Sequence, residues 1–207
     1  MIQKLLITLI VLGANLYSDD FDDAKRAYAS GDNIKSVNLF IKACDGGEMV
    51  GCFNAGLMYE KGNRVRQDQV KAVKLYTKAC DGGDMVGCTN LGAMYGKGNG
   101  VRQDIAKAVN LYAKGCDGGD MNGCANLGVL FNDGNGVRQD YSIAKELYIQ
   151  ACNGGNMKGC LNLGVLYNNG DGVRQDKSIA KELYAKACNG GYGEGCDYYI
   201  ILHEQGH

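Results

Sequence analysis

The sequence predicts an all-α repeat protein whose successive helices are stapled by disulfides into a curved scaffold, and three observations carry that reading. A 36-residue period runs without insertion from Cys44 to Cys196, the apolar residues within each period follow helical spacing, and each period holds one Cys-x7-Cys pair. A period of this length marks a unit that cannot bury its apolar face alone and must stack on its neighbours.

Within a unit, Cys88, Leu91, Gly92 and Tyr95 fall at i, i+3, i+4 and i+7, which makes one face of a first helix, A. Gly92 and its equivalents Gly56, Gly128 and Gly164 predict a close helix contact. A loop of the type G-x-G-V-R-Q-D then ends on Asp68, Asp104, Asp140 or Asp176, residues suited to cap a second helix, B, by accepting from its free N–H groups. Helix B carries Ala72, Leu75, Tyr76 and Ala79, repeated as Ala108, Leu111, Tyr112 and Gly115. It stops at a Gly-Gly pair suited to a left-handed C-terminal cap. Tyr76, Tyr112, Tyr148 and Tyr184 are expected to fill the core with their hydroxyls at its edge. Arg66, Arg102, Arg138 and Arg174 recur in the loops, where they are expected to hydrogen-bond carbonyls.

Residues 1–18, MIQKLLITLIVLGANLYS, place one lysine before an apolar run and then small and polar residues, the pattern of a Sec signal peptide. Residues 19–45 form a leading cap of two shorter helices joined around Ser30-Gly31-Asp32. Four repeats occupy 46–189, at about 46–81, 82–117, 118–153 and 154–189, and residues 190–207 make a trailing cap helix. There Ile200 stands in place of the packing glycine and Tyr198 in place of a recurrent asparagine.

Twenty-two basic residues face 23 acidic ones for a formal charge of −1, and removing residues 1–18 takes away only Lys4. That balance gives no footprint for nucleic acid. No cofactor, no lasting membrane insertion after signal cleavage and a monomer are expected.

Ten cysteines behind a signal peptide imply an oxidising compartment, periplasmic or extracellular, and an even count at uniform spacing implies local pairing. Each first cysteine ends a helix B and each second opens the next helix A. The expected pairs are therefore Cys44–Cys52, Cys80–Cys88, Cys116–Cys124, Cys152–Cys160 and Cys188–Cys196. Each bridge closes nine residues, for which chain entropy suggests about 2 to 3 kcal/mol. Zinc thiolates need tighter spacing and four converging ligands.

Units reading G-C-x-N-L-G-x-x-Y-x-x-G-x-G-V-x-x-D-x-x-x-A-x-x-L-Y-x-x-A-C resemble Sel1-like repeats, relatives of tetratricopeptide repeats. With a cysteine pair in every unit, the chain resembles the Helicobacter cysteine-rich protein family. Arg64 departs from the pattern, where later units have Gly100, Gly136 and Gly172. The resemblance implies a right-handed α/α superhelical solenoid, export from the cell, and a penicillin-binding or weakly β-lactam-hydrolysing activity.

Three sets of residues are candidate sites. Asn54, Asn90, Asn126 and Asn162 lie two residues after each second cysteine, roughly 200° around helix A from it. On a concave face they suit the backbone of a bound protein, peptide or peptidoglycan peptide. Phe53, Thr89, Ala125 and Leu161 beside them are expected to supply specificity. Ser142 with Lys145 and Ser178 with Lys181 match Ser-x-x-Lys, the nucleophile motif of enzymes that acylate on β-lactams, but no Lys-Thr-Gly or Ser-Asp-Asn triplet accompanies it. His203 and His207 match His-Glu-x-x-His, a zinc motif without a third ligand here.

Overall fold

The computed structural model describes residues 20–62 and 65–206; the signal-peptide segment, Arg64 and His207 lie outside them. A helix runs through 20–29, which we call α1. It is followed by α2 (Asn33–Asp45), α3 (Met49–Lys61), α4 (Gln69–Asp81), α5 (Met85–Lys97), α6 (Ile105–Asp117), α7 (Met121–Asp133), α8 (Tyr141–Asn153), α9 (Met157–Asn169), α10 (Lys177–Asn189) and α11 (Gly193–Glu204). The odd-numbered helices from α3 onward are the A helices and the even-numbered ones the B helices. The described residues contain no strand. In the leading pair α1 is shorter than the later helices, whereas α2 departs from expectation: it has 13 residues, the same as every later B helix, and Asp32 caps it as the later aspartates cap theirs.

The caps follow from residue chemistry. Asp68 and Asp104 accept from the N–H of Lys71 and Lys107, while Asp140 and Asp176 each accept from two N–H groups of the first turn. Each satisfies donors that the helix leaves free. At the other end, the second glycine of each pair takes a left-handed conformation, as at Gly83 with φ +94°. Gly83 N–H then reaches Cys80 O and Asp84 N–H reaches Ala79 O, the paired bonds of a Schellman turn. This turn leaves only three residues between α4 and α5, so the two helices double back tightly.

The chain divides into two compact units, ending at Gln103 and beginning at Asp104. The unbroken repeat register gave no sign of that division. In the first unit Ala24, Val37, Phe40, Ala55 and Met58 form one buried cluster, and Tyr76 is fully buried. In the second unit Ala144, Tyr148, Leu163 and Leu166 form the corresponding cluster. Glycine-to-tyrosine contacts recur in both units: a Cβ added at Gly56 would stand 2.8 Å from Tyr76 Cε1, and one at Gly164 would stand 2.6 Å from Tyr184 Cε1. The close contact expected of the helix A glycine is thus a seat for the tyrosine of the following helix B.

All five cysteine pairs are bridged as expected, with S–S distances of 1.95 to 2.03 Å and Cα–Cα distances of 4.5 to 4.6 Å. No described cysteine is free. Five disulfides argue for an oxidising, extracytoplasmic environment. Among the described residues, no helix is long and apolar enough to cross a membrane.

Candidate binding surface

The four asparagines occupy the same position of α3, α5, α7 and α9, and each is half-buried. Asn54 Nδ2 donates to Val50 O at 2.7 Å and Asn90 Nδ2 to Val86 O at 3.1 Å, both within their own helix. Those bonds hold the amides in place and leave the Oδ1 acceptors available. Asn162 instead lies beside the Tyr148 hydroxyl. Asn54 lines a cavity of about 250 Å³ in the first unit, together with Tyr28, Leu57 and Lys61. Asn126 lines one of about 370 Å³ in the second, with Asn122, Asn156, Lys158 and Tyr192. Asn156 Nδ2 donates to Asn122 Oδ1 at 2.9 Å, so that cavity is edged by a preset pair of amides.

The residues beside the asparagines do not have the expected exposure. Thr89, Ala125 and Leu161 are at most 5% exposed, and Phe53 packs on Tyr76 with ring centroids 6.0 Å apart. One step of 100° from the asparagine turns them into the core. The varying side chains that reach solvent are at the second helical position. Val50 and Val86 are 46% and 42% exposed in the first unit, while Asn122 and Lys158 are exposed in the second.

The loop arginines also differ from expectation. Gln67, Gln103, Gln139 and Gln175, one residue later, donate to carbonyls at the end of the preceding helix at 2.7 to 2.8 Å. Arg66, Arg102, Arg138 and Arg174 are exposed and make no hydrogen bond or ion pair among the described residues.

The Ser-x-x-Lys pairs lie on exposed first turns. Ser142 and Ser178 are exposed, and their backbone N–H groups donate to Asp140 and Asp176. Lys145 pairs with Glu146 at 3.3 Å. The Lys181 ammonium lies 3.1 Å from His203 Nδ1 and over the Tyr199 ring. The Ser142 hydroxyl makes no hydrogen bond to Lys145 among the described residues. Tyr199 stacks on His203 with ring centroids 6.0 Å apart, and no group of three potential metal ligands occurs among the described residues.

The hydroxyls of the core tyrosines are buried titratable groups. Burial raises the pKa of Tyr76, Tyr112, Tyr148 and Tyr184 above the ordinary phenol value, that of Tyr184 to about 12. Tyr76 Oη donates to Glu60 Oε2 at 2.6 Å, whereas the buried Tyr184 Oη has no hydrogen-bond partner among the described residues.

Alternating tight glycine turns and longer capped loops between 13-residue helices, in a fixed register and with a half-exposed amide on successive A helices, define an α/α-hairpin repeat protein. The Sel1 repeat family matches at residues 24–48, 50–84, 86–120, 122–156 and 158–192. The chain belongs to the Sel1 repeat family. A Sel1 repeat protein from Oxalobacter formigenes has a similar structure, with 27% identity over 90% of this chain and 76% of that one and a TM-score of 0.84. So has c5321, a protective antigen of uropathogenic Escherichia coli, with 26% identity over 93% of this chain and a TM-score of 0.82; this chain spans only 42% of that protein. Cysteine-rich protein B of Helicobacter pylori is 29% identical over 67% of this chain and 92% of that one, at a TM-score of 0.47. No curated protein matches the chain.

Proposed function

We propose that this chain is an exported scaffold that captures an extended peptide or protein segment on the A-helix face of each unit. Sel1 repeats are protein-interaction modules, and the single observation that carries the reading is that Asn54 and Asn126 each line a cavity from the same helical position. A side-chain amide offers both a donor and an acceptor, which suits a peptide backbone whatever its side chains. Val50 and Val86 in one unit, and Asn122 and Lys158 in the other, then select the ligand's side chains. Residues 1–18 would direct export, placing the scaffold in the periplasm or outside the cell, where its bridges persist.

A random peptide library displayed on phage and panned against the folded chain tests this. Selected peptides should bind Asn54→Ala/Asn126→Ala about tenfold or more weakly, with the urea unfolding midpoint nearly unchanged. Equal binding would remove the asparagines from the site. The hydrolase reading implied by the resemblance has Ser142 and Ser178 as its nucleophiles. Their exposed positions on first helical turns lead us to expect no turnover of a chromogenic cephalosporin.

A further inference from the structure

A second groove lies away from the asparagines. It has a volume of about 790 Å³ and runs between the N-terminal turns of α2 and α4 and the residues that lead into α4. Two large aliphatic side chains flank it in the open: Ile34 is 67% exposed and Val70 53% exposed. They hold equivalent positions in successive B helices, and in α8 and α10 that position is Ser142 and Ser178. The apolar pair is therefore a property of this unit and not of the repeat.

The groove also carries an unmatched cation. The exposed Arg66 guanidinium on its wall has no partner among the described residues. Lys71 stands beside it, over the Tyr59 ring at 4.9 Å. The one carboxylate in the lining, Asp68, is already matched: its Oδ1 accepts from Lys71 N–H at 2.9 Å and its Oδ2 lies 3.7 Å from Lys71 Nζ. The N-termini of α2 and α4 are already met by the capping carboxylates of Asp32 and Asp68, so the charge left unmatched on this wall is that of Arg66. An uncovered aliphatic pair beside an unmatched cation calls for a ligand that is apolar and anionic at adjacent points.

We propose that this groove docks an acidic segment of a partner protein, in which an apolar side chain covering Ile34 and Val70 stands beside a carboxylate that meets Arg66. The site is separate from the asparagine face, since none of the four asparagines lines it.

The test pans the same phage-displayed library against the Asn54→Ala/Asn126→Ala chain, so that the face proposed above does not contribute. Enriched peptides should pair Asp or Glu with Leu, Ile, Val or Phe. Their synthetic versions should lose about tenfold or more in affinity to Arg66→Glu and to Ile34→Ser/Val70→Ser built on that chain, and should bind less tightly as salt rises. These are surface changes, so circular dichroism and the thermal midpoint should match the parent. No enrichment, enrichment without acidic residues, or binding that survives both variants would overturn the proposal. The asparagine reading stands or falls on its own panning, because that experiment leaves Arg66, Ile34 and Val70 intact.

Discussion

Gly128 in α7 and Tyr148 in α8 meet so closely that a Cβ on residue 128 would stand 2.6 Å from the tyrosine Cε1. Tyr148 is 2% exposed, so its ring has nowhere to retreat. Alanine is the better helix former by about 1 kcal/mol, yet overpacking of a fixed ring costs about 1 to 3 kcal/mol. Gly128→Ala should therefore lower the urea unfolding free energy despite the helix gain. Gly193 in α11 is the control, since a Cβ there meets nothing within 4 Å. Gly193→Ala should leave stability unchanged or raise it by up to about 1 kcal/mol. A Gly128→Ala chain as stable as the parent would show that the ring is not seated on the glycine.

The tyrosine hydroxyls predict a second contrast. Tyr76 Oη donates to Glu60 at 2.6 Å, and Tyr76→Phe should cost about 0.5 to 1.5 kcal/mol in chemical denaturation. Tyr184 is different because Tyr198, where earlier repeats have asparagine, stacks on it at 5.1 Å and leaves its hydroxyl buried without a hydrogen-bond partner among the described residues. Tyr184→Phe removes only that unmatched group and should be neutral or stabilising. A loss as large as that of Tyr76→Phe would mean that the Tyr184 hydroxyl is bonded after all.

Much of this was readable from residue types alone. Asp68, Asp140 and Asp176 cap helices because a short carboxylate before an apolar period has few other uses, and the cysteine pairs close because a three-residue glycine turn brings their helix ends together. The tyrosine seats followed from a glycine on an otherwise apolar face. Where two donors stand side by side, the order did not reveal which one turns inward: Gln67 bonds the Glu60 carbonyl while Arg66 faces solvent. That choice is fixed by loop backbone angles, which spacing does not encode. Leu161 and Thr89 lie in the core against expectation for a simpler reason. They vary between repeats, and variation in a core that repacks from unit to unit resembles variation at a surface. The boundary at Gln103 and Asp104 falls inside an uninterrupted loop motif, so no residue marks it.

The staples carry a direct stability prediction. Cys152 and Cys160 are 3% and 0% exposed, so alanine replaces them without burying a new hydroxyl. Cys152→Ala/Cys160→Ala should lose about 2 to 3 kcal/mol, the chain entropy of a nine-residue loop, as read by urea denaturation. A non-reducing peptide map of the parent should show only bridges between neighbouring helices. Retained stability in the double variant would mean that the glycine turn alone holds α8 against α9.

The buried tyrosines also set an alkaline limit. Burial, the largest cause in each case, raises the pKa of Tyr76, Tyr112, Tyr148 and Tyr184 in the folded chain, that of Tyr184 to about 12. A raised folded pKa means that the fold favours the neutral phenol. The contribution to stability is complete below the unfolded value of about 10 and falls as pH climbs toward the folded values. Phenolate absorbance should therefore show a second, later stage in which this buried set ionises together with loss of helical circular dichroism. Tyr184→Phe should leave the second stage cooperative while reducing its amplitude by one residue. If all the phenols titrated in one stage near pH 10, with the helices intact, the tyrosine seats would be open to solvent.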